Sequence, residues 1–179
     1  MSEDEPNIEV LHGEKCPMCG KDTLTLTDME RDIPFFGVVA IFSMTCQSCH
    51  YHKADVEAAE SNEPVRFDFL VNSEEDMSVR VIKSSHATIK FGRIGKIESG
   101  EASNGYVSNI EGLLNRLKKQ VEFLRDSSDD KADQKKAKNH LKKLQKVIWG
   151  QEELKIVLED KTGNSAIISE KAEKKKLKK

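Results

Sequence analysis

The pattern of apolar and polar positions changes period twice along the chain. Thr23-Leu24-Thr25-Leu26-Thr27 alternates strictly, the signature of a half-buried strand. A polar stretch at 28–32 reads as a turn, and Ile33-Pro34-Phe35-Phe36 leads into a second strand at 38–42. A third short strand is expected at 51–56. Small and polar residues at 58–64 mark a boundary between modules. Four short β-type runs follow, at 65–71, 79–83, 86–91 and 94–97, interrupted by Asn72-Ser73, Ser84-Ser85 and Gly92. That spacing predicts an antiparallel sandwich or barrel.

The period then becomes helical. Ile110, Leu113, Leu114, Leu117, Val121 and Leu124 share one stripe, and Ser108 with Glu111 has capping-box spacing at its start. Residues 127–130 make a turn and supply an N-cap for a second helix. Its stripe is Ala137, Leu141, Leu144 and Ile148, and Gly150 is placed to end it. Strand character returns at 154–158 and 165–168 across a turn at 160–165. Strands on both sides of a helical hairpin make that hairpin an insertion within one β-domain. The expected organisation is a flexible lead-in at 1–14, a finger at 15–57 and a β-domain at 64–169. The hairpin is inserted at about 108–149, and a frayed basic tail covers 170–179.

The finger owes its assignment to cysteine. Cys16-Pro17-Met18-Cys19 and Cys46-Gln47-Ser48-Cys49 account for all four cysteines of the 179 residues. Two thiolates two residues apart fit one tight turn and reach a common ion about 2.3 Å from each sulfur. Two such knuckles close a tetrahedral site with no vacant position, so Cys16, Cys19, Cys46 and Cys49 are expected to hold one structural Zn2+. A filled site of this kind holds a fold together and leaves no place to activate water. Zinc ligation also removes the free low-pKa thiol that a redox role for Cys-x-x-Cys needs.

Charge sharpens the division. The net charge of −2 combines residues 1–63, with 13 acids against 4 bases, and residues 111–149, with 6 acids against 11 bases. The metal-binding end is acidic and a poor match for a phosphate backbone. The hairpin lysines, Lys118, Lys119, Lys135, Lys136, Lys142 and Lys143, are either a solvated face or a docking surface for an acidic partner. No apolar run reaches the ~18 residues needed to cross a bilayer. The acidic N-terminus lacks the apolar segment of a secretory signal, so a reducing, cytoplasmic setting is expected. Catalytic patterns are missing too. Gly92-Arg93-Ile94-Gly95-Lys96 lacks the spacing and hydroxyl of a phosphate loop. His50 and His52 beside the second knuckle are surplus to a four-thiolate site, and His86 alone is too little for a jelly-roll metal site.

The combination of landmarks resembles a single module of the ZPR-type zinc-finger proteins, whose archaeal members carry one module and whose eukaryotic members carry two. The residues that carry the resemblance are Cys16-Pro17-Met18-Cys19-Gly20, Ile33-Pro34-Phe35-Phe36 and Cys46-Gln47-Ser48-Cys49-His50-Tyr51. They continue with Val81-Ile82-Lys83-Ser84-Ser85-His86-Ala87-Thr88-Ile89, Ile110-Glu111-Gly112-Leu113-Leu114 and Thr162-Gly163-Asn164-Ser165. The resemblance implies a mostly β fold with a helical insertion: a four-cysteine zinc ribbon, then a double-stranded β-helix (jelly-roll-like) domain carrying an α-helical hairpin. It also implies a partner, since eukaryotic relatives bind and assist the folding of translation elongation factor one-alpha. The chain departs from the family in having His50 where Gly is usual, a short hairpin and a Lys-rich tail.

Two binding functions follow. The first is a non-enzymatic module for a GTPase of elongation factor one-alpha type, with Phe35 and Phe36 either presented for docking or packed between the modules. The alternative is a nucleic-acid-binding ribbon of translation or transcription. The lysines support it, but aromatics interleaved with basic residues, which single strands stack upon, are scarce.

Overall fold

A computed structural model of the chain describes residues 8–34, 36–58, 63–100 and 103–177. Four antiparallel strands, β1 (Ile8–Lys15), β2 (Asp22–Ile33), β3 (Gly37–Cys46) and β4 (His52–Ala58), form one meander in the order β1-β2-β3-β4. The knuckles occupy the β1–β2 and β3–β4 connections, and pairing of Leu24 with Cys46 brings them side by side. The β2–β3 turn lies at the far end, closed by Phe36 N–H donating to Ile33 O at 2.9 Å.

Two expectations change here. Residues 8–14, read as flexible, are most of β1, which pairs with β2 from Ile8↔Met29 to Lys15↔Asp22. Residues 28–32, read as a turn, lie inside β2 and pair with residues 38–42 of β3. Both faces of this arm are largely open to solvent, so an extended strand tolerates polar residues on either side.

The second unit is a sandwich. β5 (Val65–Val71), β7 (Thr88–Phe91), β8 (Gly95–Ile97), β10 (Leu154–Asp160) and β12 (Glu173–Lys176) make a sheet in the order β12-β5-β10-β7-β8. β6 (Arg80–Lys83), β9 (Tyr106–Asn109) and β11 (Ala166–Ile168) make a second, in the order β11-β6-β9. Alternate residues of β5 and β10 (Val65, Phe67, Phe69 and Val71; Leu154, Ile156 and Leu158) enter the core between the sheets. The outer face carries ion pairs instead, with Arg66 on Asp68 at 2.9 Å and Lys90 on Glu159 at 2.6 Å. β12 falls where a frayed tail was expected. It pairs with β5, and Lys175 reaches Asp68 at 2.7 Å, so the lysines have carboxylates across the strand.

Helices α1 (Ile110–Ser127) and α2 (Lys131–Ile148) interrupt this domain between β9 and β10. Ile110, Leu113, Leu114, Leu117 and Val121 are buried as their spacing predicts. Leu124 is not: it lies beyond the sandwich and is 63% exposed. The α1 cap is Asn109, whose Oδ1 accepts from Gly112 N–H at 2.8 Å, in place of the expected Ser108. β9 runs through Ser108, which pairs with Val81 and so precedes the helix boundary. Asp130 caps α2 through Ala132 N–H at 2.7 Å, and Gly150 (φ 64°) ends it.

β6 belongs to both units. Val81 points into the sandwich core, whereas Ile82 packs with Ile33, Val39 and Val56 of the ribbon. Burial on two faces explains why the adjacent Val81 and Ile82 are both apolar. Phe36 packs against both clusters. Its neighbour Phe35, named with it above as a docking candidate, lies outside the described residues.

Candidate metal centre

Each knuckle is a turn whose geometry the chain imposes before any metal is considered. Gly20 N–H donates to Cys16 O at 2.9 Å, and His50 N–H donates to Cys46 O at 3.0 Å. Both turns require a left-handed residue after the second cysteine, and Gly20 (φ 71°) and His50 (φ 58°) provide it. Gln47 N–H bonds to Thr23 O at 3.1 Å, tying the second knuckle to β2.

The four sulfurs converge. All lie within 4.8 Å of one another, with Cys16 Sγ 3.7 Å from Cys49 Sγ and Cys19 Sγ 3.8 Å from Cys46 Sγ. Ligands at 2.3 Å on the corners of a tetrahedron stand about 3.8 Å apart, so the spacing fits one zinc. It is far beyond the ~2.0 Å of a disulfide. Cys16 and Cys46 are buried beside Leu24, and Cys19 and Cys49 face outward. Donors are aimed at the sulfurs. The Thr23 hydroxyl, 3.3 Å away, and the backbone N–H groups of Cys49 and Ser48 lower the Cys46 thiol to about 6. The Tyr51 N–H acts in the same direction on Cys49. Burial and the three neighbouring sulfurs outweigh it and push that thiol up to about 12. One thiolate therefore forms readily and the last is opposed by its neighbours, which is the crowding a divalent cation relieves.

The other singled-out residues do not join this cluster. His50 serves the turn through its backbone. His52 Nδ1 lies 3.0 Å from Thr45 Oγ1 on an exposed strand. Gly92 and Gly95 flank the β7–β8 turn, where Lys96 pairs with Glu98 at 2.5 Å. His86 Nδ1 meets the neighbouring Ser85 hydroxyl at 3.1 Å.

A second constellation, not singled out as a site in the sequence, joins ribbon to sandwich. Asp55 of β4 accepts from Ser85 N–H at 2.8 Å and from the Ser85 hydroxyl. Ala54 N–H donates to Asn104 Oδ1 at 3.1 Å, and Gly105 N–H donates to Ala54 O at 2.9 Å. Just inside, Lys83 is fully buried, its ammonium donating to Ser84 O at 2.9 Å, Ser103 Oγ at 3.1 Å and Asn104 O at 3.5 Å. Asp160 is equally buried and accepts from the hydroxyls of Ser165 (2.5 Å), Thr162 (2.7 Å) and Ser84 (2.8 Å). Burial opposes its charge, but the Ser165 and Thr162 donors win and hold its carboxyl below the usual range. Landmarks Lys83-Ser84-Ser85 and Thr162-Gly163-Asn164-Ser165 are thus fastenings. Their signal in sequence was small hydroxyl residues placed between apolar strands.

A four-cysteine ribbon fastened to a jelly roll defines a zinc-finger protein whose metal is structural. Comparison with known proteins agrees module by module: residues 7–64 match the ZPR1 zinc-finger domain and residues 75–179 the ZPR1 jelly-roll domain. A ZPR1-like protein of Methanocaldococcus jannaschii is 37% identical over 160 residues, covering 88% of this chain and 81% of that one. One from Pyrococcus horikoshii is 37% identical over 167 residues, covering 90% and 75%. The zinc finger chaperone zpr1 of Schizosaccharomyces pombe is 30% identical over 158 residues, covering 85% of this chain and 33% of its own length. The chain belongs to the ZPR1 family.

Proposed function

We propose that this chain is a non-enzymatic, cytoplasmic protein-binding module that binds or chaperones a GTPase of the elongation factor one-alpha type. Cys16, Cys19, Cys46 and Cys49 are the ligands of its single structural zinc. The observation that carries this reading is the free end of the hairpin. Phe123 and Leu124 on α1 are 69% and 63% exposed, and with Lys119 and Gln120 they line an apolar hollow. An aromatic and an aliphatic side chain held on a helix, beside one lysine, suit an apolar groove on a partner. The fission-yeast relative's description as a chaperone supports the same class of activity. The nucleic-acid alternative has less support, because two of the tail lysines it needs are engaged: Lys175 with Asp68 at 2.7 Å and Lys176 with Glu63 at 2.6 Å.

The test is retention of the purified elongation factor on the immobilised, zinc-loaded chain, with zinc quantified in the same sample. One zinc per chain and capture of the factor are expected. The double variant Phe123→Ala, Leu124→Ala is expected to weaken capture at least tenfold. Failure of the wild-type chain to bind the factor at low salt overturns the reading.

A further inference from the structure

A cleft of about 950 Å³ is lined by residues between Ile97 and Tyr106 and by the first half of α1. Its chemistry differs from that of the hairpin tip. Among the described residues, Lys83, Arg116 and Lys119 line it against one carboxylate, Glu98, which is already paired with Lys96 at 2.5 Å. Lys83 forms part of the inner wall. Its three donors are committed to oxygens, and Asp55 and Asp160 offset part of its charge. Arg116 and Lys119 are different: neither forms an ion pair among the described residues. Arg116 lies over the Tyr106 ring, its guanidinium carbon 4.2 Å from the ring centre, a cation–π contact that uses none of its N–H donors in a hydrogen bond.

Beneath it the Tyr106 hydroxyl is buried with no hydrogen-bond partner among the described residues. An orphaned buried donor is uncommon and calls for an explanation. Burial, only partly countered by Arg116, raises its pKa, so it stays a protonated donor. Asn104, Asn115 and Gln120 add neutral amides around the same space. The arrangement is cationic donors at the mouth, an unsatisfied hydroxyl in the wall and amides at the sides. It is matched by an anion with several oxygens attached to a polar body. A guanidinium fork grips such oxygens two at a time.

We propose that this cleft binds a phosphate-bearing small molecule, gripped by Arg116 and Lys119 and met at its inner end by the Tyr106 hydroxyl. The volume lies within the range of small-molecule pockets. The cleft shares Lys119 and Gln120 with the hairpin-tip hollow but not Phe123 or Leu124, so Arg116→Gln and Tyr106→Phe test it apart from partner capture.

The experiment is calorimetric titration of the full-length, zinc-loaded chain with pyrophosphate, with ionic strength held constant by chloride and citrate as a carboxylate control. Saturable binding at one site is expected. Arg116→Gln and Lys119→Gln alter exposed side chains and leave the fold intact, and each is expected to weaken binding at least fivefold. Lys138→Gln, an exposed α2 lysine outside the cleft, is expected to change nothing. Tyr106→Phe separates a ligand-binding hydroxyl from a structural one. It is expected to leave the melting temperature of the free chain unchanged or raised, while weakening pyrophosphate binding about threefold. Absence of saturable binding, insensitivity to Arg116→Gln and Lys119→Gln, or citrate binding as tightly as pyrophosphate would each overturn the proposal.

Discussion

His50 shows how one residue can be out of keeping with its turn and yet tolerated. It holds the position that Gly20 holds in the first knuckle, and at φ 58° its Cβ lies in the left-handed region. For a residue with a side chain this conformation costs about 1–2 kcal/mol, although histidine is among those that adopt it more often than most. Glycine would relieve the cost but would gain freedom in the unfolded chain worth about 0.4–1 kcal/mol. The difference leaves His50→Gly between neutral and stabilising by about 1.5 kcal/mol. His50→Val, β-branched at the same φ, should destabilise by about 1–2 kcal/mol. Denaturant midpoints of both variants in excess zinc measure this. A destabilised His50→Gly would show that the imidazole contributes something beyond its backbone.

Between elements, Gly105, entering β9, comes close to β4. A Cβ at Gly105 would stand 2.7 Å from Val56 N and 2.9 Å from Asp55 Cα, both on the ribbon backbone. Neither atom can yield without disturbing the Asp55–Ser85 and Ala54–Gly105 hydrogen bonds. Gly105→Ala should therefore destabilise by about 1–3 kcal/mol, the usual range for overpacking. Gly100→Ala, with open space around the added methyl, should stay within about 0.5 kcal/mol of wild type. Equal stabilities in urea would mean that the ribbon sits less tightly on the sandwich than this contact requires. What could be read in advance follows the same division between local and distant contacts. The cysteine cluster was legible because each half is set by a spacing of three positions. Most sandwich strands were legible because alternation marks them. β1 escaped because a bulge at Gly13 (φ 78°) shifts its register between Leu11 and Glu14 and breaks the alternation. β12 escaped because lysines read as a solvated tail until Asp68 is known to lie across from them. The seam was illegible for a related reason. Asp55 and Ser85 are 30 positions apart, Ala58 and Asn164 are 106 apart, and no local period reports such a pairing.

At the scale of the whole molecule, the ribbon has two ends held by different physics. At one end the metal does most of the holding: among the described residues, Cys16, Cys46 and Leu24 are the buried members of a small cluster, with Leu26, Met44 and Tyr51 half-buried around it. At the other end Ile33, Val39 and Val56 share a core with Ile82 of the sandwich, and Phe36, Ile41 and Ile168 pack against it. Burying each of those large aliphatic side chains contributes about 1.5–3 kcal/mol, none of which depends on zinc. Metal binding is linked to folding only where the ligands are. Removing zinc with a chelator should therefore open the knuckle end and leave the far end standing on the sandwich. In hydrogen exchange, amides of Cys16, Gly20, Cys46 and His50, which close the knuckle turns, should lose protection. Amides of Val39 and Val56, fully buried and paired near the far end of β3 and β4, should keep it, as should β10 at the centre of the larger sheet. Cys16→Ser should reproduce the pattern in the presence of zinc. Loss of protection throughout β2, β3 and β4 would instead make the ribbon a single cooperative unit that the shared core at Ile82 cannot sustain. Unchanged exchange at the knuckles would remove zinc from the structural account. The partial outcome also bears on function, because the hairpin is rooted in the sandwich, where Leu113, Leu114 and Leu117 are buried in its core. A chain stripped of zinc would still present Phe123 and Leu124, so any loss of partner binding on chelation would be traceable to the ribbon alone.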